Sequence, residues 1–594
     1  MVYMYTVTIC GVMGCNAGKS EQIYENFLKE IKKYNLEDDV NVVKTGCFGL
    51  CEEGPILRIS PDYIYYTRVQ PQDVEEIVLE HFVKGNPVER LIYKDPKKID
   101  GEDRDISFYS KQERVVLKNC GIINADDIDE YVGSDGYIGL ENALFKMTPE
   151  QVIDEIKKSG LRGRGGAGFP TWRKWTFTRN SPGDKKYIIC NADEGDPGAF
   201  MDRSIIEGDP HSVIEGMIIA AYAIGASMGY VYIRIEYGFA IQRIKKAIEK
   251  AYEYGFLGEN ILGSGFSFEL DVRMGAGAFV CGEETALIAS IEGKRGTPVP
   301  RPPYPSVKGL FGCPTSINNV ETWVNVTRIL ANGADWYSKI GTEGSKGTKV
   351  FCLTGKVENS SIVEVPMGMS LREIIFDLGG GIKDGKKIKA LQTGGPSGGV
   401  IPEHLLDTPV DYERLKDLGS MMGSGGMIVI DEDDCVIDIA KFYLDFCVEE
   451  SCGRCAPCRI GGFQMLNLLD KISKGKAELE DLTRLKRIAL AMKKASLCGL
   501  GQSAANPVIS TLNYFEHEYI EHITEKKCRA KKCKDLISYV IIDDKCRKCA
   551  LCAKECPVNA IPGDREKGFV IDQEKCIKCG LCISACPFDA VVGE

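Results

Sequence analysis

The first 83 residues alternate short apolar runs with amphipathic stretches. The strand-like runs occupy residues 3–9, 40–44, 56–59 and 63–67. Helix-like stretches begin near Ser20 and Pro71. Strand-length runs separated by segments of helical period are typical of an α/β fold. We therefore predict a small α/β domain at residues 1–83.

A charged connector follows this first domain. Residues 84–107 contain two prolines and many charged side chains, and their apolar positions show no regular period. Such composition favours an extended chain over a packed element. We predict a linker at residues 84–107.

The longest α/β region spans residues 108–435. It is rich in glycine, carries the strand-like runs KKYIICNADE and YVYIRIEY, and contains an amphipathic helical stretch at residues 149–158. Residues 436–525 have the pattern of a helical domain. The remainder, 526–594, is short, rich in cysteine and built from two similar halves, which is the internal symmetry of a ferredoxin.

Composition and charge exclude several functional classes. The chain has 594 residues, 44% of them apolar and 27% charged, and a net charge of −11 with both signs interleaved. No basic surface suited to nucleic acid is evident. The most apolar stretch, residues 217–226, is half the length of a membrane span, so it predicts a buried core helix. The first residues lack the pattern of a secretory signal, so we expect a cytoplasmic protein that does not enter a membrane.

The most informative feature of the composition is the presence of twenty-five cysteines. In a reducing compartment they are expected to bind metal rather than to form disulfides. Two runs near the end follow the CxxCxxCxxxCP pattern of bacterial ferredoxins, in which the fourth cysteine of each run ligates the other cluster. One 4Fe-4S cluster is therefore predicted on Cys546, Cys549, Cys552 and Cys586. The second is predicted on Cys576, Cys579, Cys582 and Cys556. Paired zinc knuckles are the alternative.

A third 4Fe-4S site is predicted in ESCGRCAPCR. Cys452, Cys455 and Cys458 have the CxxCxxC spacing that wraps a cubic cluster, and Cys498 in SLCGLGQ is the expected fourth ligand. Zinc could use the same four thiolates.

A fourth set of cysteines lies near the N-terminus. Cys10 and Cys15 form one pair, and Cys47 and Cys51 form another, each after a predicted strand. Four thiolates at two loop tips suit a 2Fe-2S centre, although the spacing alone also allows zinc.

A weaker mixed set precedes the ferredoxin repeat. The segment EHEYIEHITEKKCRAKKC contains His517, His522, Cys528 and Cys533, whose mixture of imidazole and thiol suggests structural zinc. Cys435 is the predicted remaining ligand, with Cys447 as the other nearby candidate. The alternative is that these are ordinary helix histidines and free thiols.

Four segments with glycines, acidic residues or asparagines follow one another along the chain. They are GLRGRGGAGFPTWRKW from residue 160, NADEGDPGAFMDR from 191, GAGAFVCGEETALI from 275 and TSINNVET from 315. Glycines leave the backbone open to a phosphate or a ring, and carboxylates accept hydrogen bonds from ribose hydroxyls. The first segment does not follow a strand, so it is not an ordinary dinucleotide-binding fingerprint.

Together these segments closely resemble the flavoprotein subunit of respiratory complex I and its relatives, over about residues 110–525. The resemblance implies an atypical Rossmann-like domain at 108–340 that binds FMN and NAD(P)H, a β-grasp-like (SLBB) domain at 341–435, a helical 4Fe-4S domain at 436–525 and a ferredoxin domain at 526–594. Trp172 replaces the glycine usual in the family's PTGxKW.

The resemblance also implies which residues bind the cofactors. Those expected to contact FMN are Gly163, Arg164, Gly165, Lys174, Asn191, Asp193, Glu194, Asn318 and Asn319. Those expected around the nucleotide are Phe169, Phe177 and Tyr304 at the adenine, and Glu283 and Glu284. Asp196, which stands where some relatives have Glu, is expected at the nicotinamide end.

The flanking modules narrow the resemblance further. A thioredoxin-like 2Fe-2S domain before the flavin domain and a ferredoxin after it resemble the flavin subunit of electron-bifurcating and NADP-reducing iron hydrogenases. The resemblance implies hydride exchange between NAD(P)H and FMN, one 2Fe-2S and three 4Fe-4S clusters, and zinc near the ferredoxin. Expected partners are an iron hydrogenase catalytic subunit, a small 2Fe-2S subunit and ferredoxin. The diaphorase of a NAD-linked formate dehydrogenase or a complex I-like NADH dehydrogenase is the alternative.

Overall fold

The computed structural model describes residues 3–11, 17–94 and 107–593. The chain forms two compact units: Met1–Ile430 with Leu497–Leu500, and Asp431–Ser496 with Gly501–Glu594. Among the described residues, no helix has both the length and the apolar character needed to cross a bilayer.

The first domain is a four-stranded sheet with helices, as predicted. Its elements are β1 (Tyr5–Cys10), α1 (Ala17–Lys33), β2 (Val40–Thr45), β3 (Leu57–Ser60), β4 (Ile64–Tyr66) and α2 (Asp73–Ile77), the last continued by a π-helical turn at Val78–Val83. The strand order is β2-β1-β3-β4, with β1 and β2 parallel and the other pairs antiparallel. Alternate residues of β1, such as Val7 and Ile9, are fully buried.

The predicted linker is shorter than expected at its start. Glu89–Leu91 forms a 3-10 turn, and Ile92 makes a β-bridge with Tyr66. Val88 and Leu91 are buried in the core of the first domain. Two apolar side chains three residues apart therefore anchor residues 88–92 to this core, a signal that the surrounding charges obscured. Residues 95–106 lie outside the described part of the chain.

A parallel sheet forms the centre of the second domain. Its strands are β5 (Tyr187–Ala192), β6 (Met228–Arg234), β7 (Glu269–Gly275) and β8 (Thr315–Asn319), in the order β7-β6-β5-β8. All neighbouring pairs are parallel. The helices are α3 (Ser107–Ser110), α4 (Ile128–Gly133), α5 (Ile138–Lys146), α6 (Pro149–Ser159), α7 (Thr171–Asn180), α8 (Met201–Gly208), α9 (Pro210–Ile224), α10 (Gly238–Glu253), α11 (Glu284–Ile291), α12 (Val320–Asn332) and α13 (Ala334–Tyr337).

Helix α9 is the buried core helix predicted from its apolar run. Nearly every residue of Pro210–Ile224 is buried. Its Glu215 carboxylate accepts hydrogen bonds from the Tyr131 hydroxyl at 2.5 Å and from the Tyr137 and Leu140 amides at 2.9 and 3.0 Å. One buried charge thus ties the helix to residues 131–140, because a buried carboxylate is tolerated only when it is hydrogen-bonded.

A mixed five-stranded sheet completes the first unit. Its elements are β9 (Thr348–Gly355), β10 (Ser361–Pro366), α14 (Leu371–Glu373), β11 (Ile388–Thr393), β12 (Gly399–Pro402), α15 (Tyr412–Asp417) and β13 (Gly426–Asp431), with strand order β10-β9-β13-β11-β12. Its core is continuous with that of the parallel sheet.

The second unit contains a helical part and a small ferredoxin-like part. The helices are α16 (Val436–Glu449), α17 (Ala456–Ser473), α18 (Leu479–Ala495), α19 (Gly499–Ser503), α20 (Asn506–Tyr514), α21 (Glu516–Thr524), α22 (Leu551–Lys554) and α23 (Leu581–Ser584). The strands are β14 (Tyr539–Ile541), β15 (Gly563–Asp564), β16 (Gly568–Phe569) and β17 (Val591–Gly593), and β14 pairs with β17 across the cysteine repeat.

The crossing of α9 and α12 depends on Gly216. A Cβ atom placed there would lie 2.1 Å from the carbonyl oxygen of Trp323. We expect Gly216→Ala to lower the free energy of unfolding of the first unit by about 1–3 kcal/mol, because neither helix backbone can move aside without disturbing a packed core. Denaturant unfolding followed by tryptophan fluorescence measures this. Gly238→Ala is the control, since a Cβ there meets nothing within 4 Å; equal stability of both variants would contradict the expectation.

Candidate flavin site and metal centres

The carboxyl ends of β5 and β8 bring three asparagines together. Asn191 and Asn319 are direct partners in the parallel ladder. The Asn191 side-chain amide donates to the carbonyl of Gly282 at 2.9 Å, and Asn318 accepts from the Trp175 indole at 3.2 Å. Asn319 caps α12 by accepting from the Glu321 amide at 2.9 Å. The carboxyl edge of a parallel sheet is where α/β folds bind ligands.

The glycine-rich loop between α6 and α7 lies against this edge. A Cβ at Gly165 would lie 3.2 Å from the Cβ of Asn319, and one at Gly166 would lie 3.0 Å from the backbone of Gly423. Gly166 has φ +116°, a conformation that favours glycine. The loop thus lies between β8 and the segment before β13. Because Gly165 and Gly166 have no side chains, the backbone at these positions can approach a flat or phosphorylated ligand closely.

Arg164 lies in this loop, but its side chain points into the protein. Its guanidinium is fully buried and donates to the carbonyls of Thr348, Arg162 and Lys346 and to the Tyr337 hydroxyl, at 2.6–3.0 Å. Four hydrogen bonds within the protein therefore hold this guanidinium in place. The backbone amide of Arg164 donates to the Thr322 hydroxyl at 2.9 Å, and the whole residue is 0% exposed. The contact of Arg164 with FMN that the resemblance implies stays a prediction.

Three acids after β5 occupy different environments. Glu194 is buried and accepts from the Asp202 and Arg203 amides at 3.0 and 3.2 Å, so it caps α8. Burial raises its pKa. Burial also raises the pKa of Asp196 to about 6, although the Ser424 hydroxyl donates to it at 2.5 Å. Asp193 directly precedes Glu194 and is half-buried.

Asp202 was not singled out from the sequence, although it lies in NADEGDPGAFMDR. The carboxylate accepts from the side-chain amide of Asn319 at 2.5 Å, and burial raises its pKa well above the usual range. Asp202 therefore links α8 to the end of β8. Its position inside an acidic motif was the available signal.

The two glutamates of GAGAFVCGEETALI differ in their roles. Glu283 caps α11, accepting from the Thr285 and Ala286 amides at 2.9 and 3.0 Å. Glu284 pairs with Arg301 at 2.5 Å and lies 3.7 Å from the Lys174 ammonium, which also donates to the carbonyl of Ile317 at 2.9 Å. Lys174 and Glu284 thus place a charge pair beside β8.

The three aromatic residues expected at the adenine are all on the surface. Phe169, Phe177 and Tyr304 are 43, 49 and 55% exposed. Exposed aromatic rings are available for stacking on a flat ligand. The guanidinium of Arg301 lies 5.8 Å from the Tyr304 ring centroid.

Beneath the glycine-rich loop is a buried ion pair that the sequence analysis missed. The Lys349 ammonium is fully buried and donates to the Glu321 carboxylate and the Ser424 carbonyl at 2.5 Å. Glu321 also accepts from the Val350 amide at 3.0 Å. A lysine inside the strand KVFCLTG carried no pattern that distinguished it from an outward-facing charge.

The N-terminal cysteines gather at one end of the first sheet. Cys10 ends β1, and Cys47 and Cys51 lie on the loop after β2. Cys10 and Cys47 are buried, and Cys51 is half-buried. Cys15 falls outside the described residues. Between the loop cysteines, the Gly49 carbonyl accepts from the Ile362 amide of β10 at 2.9 Å.

The ferredoxin-like part contains two separate small cavities. The first is lined by Cys546, Cys549, Cys552 and Cys586. The second is lined by Cys556, Cys576, Cys579 and Cys582. Each cavity therefore takes three cysteines from one run and one from the other. Four converging thiols around an enclosed space fit a cubic iron-sulfur cluster.

Cys452, Cys455 and Cys458 lie on the loop before α17 and in its first turn. The Cys458 thiol is 3.2 Å from the Ser451 hydroxyl, and a Cβ at Gly501 would lie 3.0 Å from the Cβ of Cys458. Cys498 belongs to the Leu497–Leu500 segment of the first unit. Its role as fourth ligand stays a prediction.

Cys435, His522, Cys528 and Cys533 form a compact buried set. Their ligand atoms all lie within 4.8 Å of one another. His522 Nε2 is 3.4 Å from the Cys435 thiol and 3.5 Å from that of Cys533, while Nδ1 is 2.7 Å from the Glu518 carbonyl. That carbonyl fixes the ring, as the outer contact of a metal-binding histidine does. His517 and Cys447 are outside the set.

Comparisons with known families match five parts of the chain. They are the thioredoxin-like 2Fe-2S ferredoxin at residues 2–81, the Nuo51 FMN-binding domain at 156–328, the SLBB domain at 350–401, the NADH-ubiquinone oxidoreductase-F iron-sulfur binding region at 438–522 and the 4Fe-4S dicluster domain at 545–590. These matches confirm the expected fold class, with FMN, 2Fe-2S and 4Fe-4S domains in one chain. The domain boundaries remain predictions.

Individual relatives agree with this. The chain is 56% identical to the NADP-reducing hydrogenase subunit HndC of Solidesulfovibrio fructosivorans over 77% of this chain and 93% of that protein. It is 47% identical to a NADH-quinone oxidoreductase subunit of Aquifex aeolicus over 68% of this chain and 93% of that one. A NAD⁺-reducing [NiFe]-hydrogenase structure aligns with TM-score 0.62 and 29% identity, covering 88% of this chain and 85% of that chain. The chain therefore belongs to the FMN- and NADH-binding flavoprotein subunit family that includes HndC and this NADH-quinone oxidoreductase relative.

Proposed function

We propose that this chain is the flavin subunit of an electron-bifurcating iron hydrogenase. In it the chain moves hydride between NAD(P)H and FMN and exchanges single electrons with ferredoxin through its iron-sulfur clusters. As a family member it is an NAD(P)H-oxidising flavin subunit of a hydrogenase or complex I-like enzyme. The observation that carries the finer proposal is the combination of a 2Fe-2S domain, a flavin domain and a two-cavity ferredoxin in one chain.

The residues at the carboxyl edge of the parallel sheet fit FMN. Gly163 and Gly165 would offer open backbone to the flavin, and Asn191 and Asn318 would present amides to its polar edge. Lys174 supplies a positive charge beside them, balanced by Glu284 at 3.7 Å. When bound, FMN supplies the conversion between two-electron hydride transfer and one-electron transfer.

Among the other residues predicted at the site, two glutamates support it by capping helices, and Asp196 would contact the nucleotide itself. Glu194 caps α8 and Glu283 caps α11, so each holds a helix that borders the site. Loss of hydration raises the pKa of Asp196 to about 6 in spite of the hydrogen bond from Ser424, so its carboxyl group is mostly neutral below that pH. A neutral carboxyl group can donate a hydrogen bond to a nicotinamide carbonyl, which an ionised one cannot do.

We propose one 2Fe-2S and three 4Fe-4S clusters on the cysteines described above. Cys10, Cys15, Cys47 and Cys51 would hold the first, and Cys452, Cys455, Cys458 and Cys498 the cubic cluster of the helical domain. The two cavities of the ferredoxin-like part support the crossed sets. The set Cys435, His522, Cys528 and Cys533 fits zinc, because three thiols and an imidazole whose ligand atoms lie within 4.8 Å of one another match the four-ligand structural sites of that ion.

The proposed partners follow from the relatives. HndC is by name a subunit of an NADP-reducing hydrogenase, so we propose that an iron hydrogenase catalytic subunit and a small 2Fe-2S subunit assemble with this chain. The second candidate is the diaphorase of a formate dehydrogenase or a complex I-like NADH dehydrogenase, favoured by the identity to subunits of the NADH-quinone oxidoreductases. Identifying the chains that copurify with it separates the two.

The flavin site is tested by Gly165→Ala. The full chain with clusters reconstituted should bind about one FMN and reduce ferricyanide with NADH or NADPH. A methyl group at 3.2 Å from Asn319 crowds the loop, and we expect FMN affinity to fall about tenfold, equivalent to roughly 1.4 kcal/mol. Fluorescence titration of FMN measures this, with Gly238→Ala as control.

A wild-type chain that binds FMN but never oxidises either nucleotide would show instead an electron conduit without NAD(P)H chemistry.

The crossed ligation is tested by two double variants. Cys546→Ala/Cys586→Ala removes two ligands from one proposed cluster and should lose about four iron atoms, whereas Cys546→Ala/Cys556→Ala disables both clusters and should lose about eight. Iron analysis of the purified chain distinguishes the two. Ligation within each run would give the reverse order of losses.

The zinc site is tested by Cys435→Ala. We expect the purified chain to contain about one zinc, and the variant to contain almost none with its iron unchanged, because a three-ligand site left after removing a thiolate binds more weakly. Cys447→Ala, which removes another buried thiol from α16 outside the set, should keep its zinc. Equal zinc in both variants, or zinc absent from the wild type, would contradict the assignment.

A further inference from the structure

The loop that carries Cys528 and Cys533 is strongly basic, although the chain as a whole has a net charge of −11. Six of the ten residues 526–535 are lysine or arginine and one, Asp535, is acidic. All six basic side chains are exposed. A local charge opposite to that of the chain is unusual for a surface whose only function is to stay in solution.

Three of these six basic side chains make an ion pair or hydrogen bond within the described part of the chain. Arg529 pairs with Glu521 at 2.5 Å, Lys526 donates to the Ala477 carbonyl at 3.4 Å, and Lys531 donates to the carbonyl of Gly593. Lys527, Lys532 and Lys534 make no ion pair with any residue in the described part of the chain. These three lysines are called the free lysine set below.

The loop at residues 526–535 is hydrogen-bonded to a residue that lies between two cysteines of the second cavity. Lys578, between two of that cavity's cysteines, donates to the carbonyl of Asp535 at the end of the loop. Tyr539, four residues further on, lines the same cavity, and a Cβ at Gly580 would lie 3.4 Å from its hydroxyl. Lys534, directly before Asp535, is therefore placed beside the second cavity, and Lys527 and Lys532 belong to the same loop.

The second cavity is also the one nearer to solvent. Cys579 is the one exposed cysteine among those the structure describes. Ile577 and Leu581, which line the cavity, are 59 and 47% exposed, and Val558 is 36% exposed. An apolar rim around a solvent-accessible redox centre, with a basic flank, is the arrangement of a transient electron-transfer interface.

We propose that the free lysine set and the apolar rim of the second cavity, formed by Val558, Ile577 and Leu581, are the docking surface for a small acidic one-electron carrier protein. This deepens the proposed function, on which it rests, by locating where the carrier binds. Lysines steer an acidic partner to the surface through long-range attraction, and the apolar rim makes the short contact across which tunnelling occurs. The exchange moves one electron: the reduced carrier is oxidised, the module is reduced, and no bond or proton is transferred.

The test is charge reversal in the full chain within its native complex. The variant Lys527→Glu/Lys532→Glu/Lys534→Glu is compared with Lys29→Glu/Lys32→Glu/Lys339→Glu, which reverses three exposed lysines of the first unit. A dithionite-reduced acidic 4Fe-4S ferredoxin donates electrons to NAD⁺ or NADP⁺, and KM and kcat for the ferredoxin are measured at several salt concentrations. Ferricyanide reduction by NADH or NADPH and the zinc content are measured on the same samples.

We expect the first variant to raise the KM for ferredoxin about tenfold at about 50 mM salt, with the difference closing near about 0.5 M salt, where screening removes attraction between exposed charges. The control variant, the ferricyanide rate and the zinc content should match the wild type. A ferredoxin KM equal to the wild-type value at every salt concentration, or loss of a subunit from the complex with the KM unchanged, would overturn the proposal. If the wild-type complex itself does not reduce ferricyanide with NADH or NADPH, the proposed function is wrong.

Discussion

A single buried ion pair connects the parts of the first unit on which the flavin site depends. Lys349 belongs to β9 of the mixed sheet, and Glu321 belongs to the first turn of α12, directly after the asparagines of β8. The ammonium also holds the Ser424 carbonyl. An ion pair with neither partner exposed adds little net stability, because both charges lose their hydration, but removing one partner is strongly destabilising. The pair therefore fixes geometry: it sets the mixed sheet against the carboxyl edge of the parallel sheet.

This placement explains the form of the glycine-rich loop. Gly165 lies against Asn319, and Gly166 lies against Gly423, close in sequence to Ser424. Larger residues at either position would push the two sheets apart or move the asparagines. The buried guanidinium of Arg164, whose hydrogen bonds reach Thr348 and Lys346, anchors the same loop from below. The loop is thus shaped by packing on one side and remains open on the other.

The sequence predicted the modules and most of their order because cysteine spacing and period-2 or period-3.6 patterns are local signals. The ferredoxin runs predicted the crossed thiol sets, and the apolar run at residues 217–226 predicted α9. What escaped prediction depends on contacts between distant segments. Lys349 and Glu321 are 28 residues apart, and nothing near either one marks it as buried. Arg164 was expected at the flavin because of the resemblance to the family's motif, but whether its side chain faces the ligand or the core depends on Tyr337 and β9. Val88 and Leu91 were hidden among charges in the predicted linker.

The contact between Gly49 and Ile362 has a consequence for how the first domain behaves as a fused module. It is reinforced by hydrogen bonds from Tyr109 to the Phe48 carbonyl and from Ser360 to Glu52, at 2.7 and 2.9 Å. Phe48, Leu50, Ile56 and Tyr65 of the first domain also belong to the same hydrophobic core as the two sheets of the first unit. The hydrogen bonds therefore border an interface that apolar packing already stabilises. The first domain thus behaves as part of the first unit's folded core rather than as an independent carrier, and exposing this interface would cost the burial of those apolar side chains.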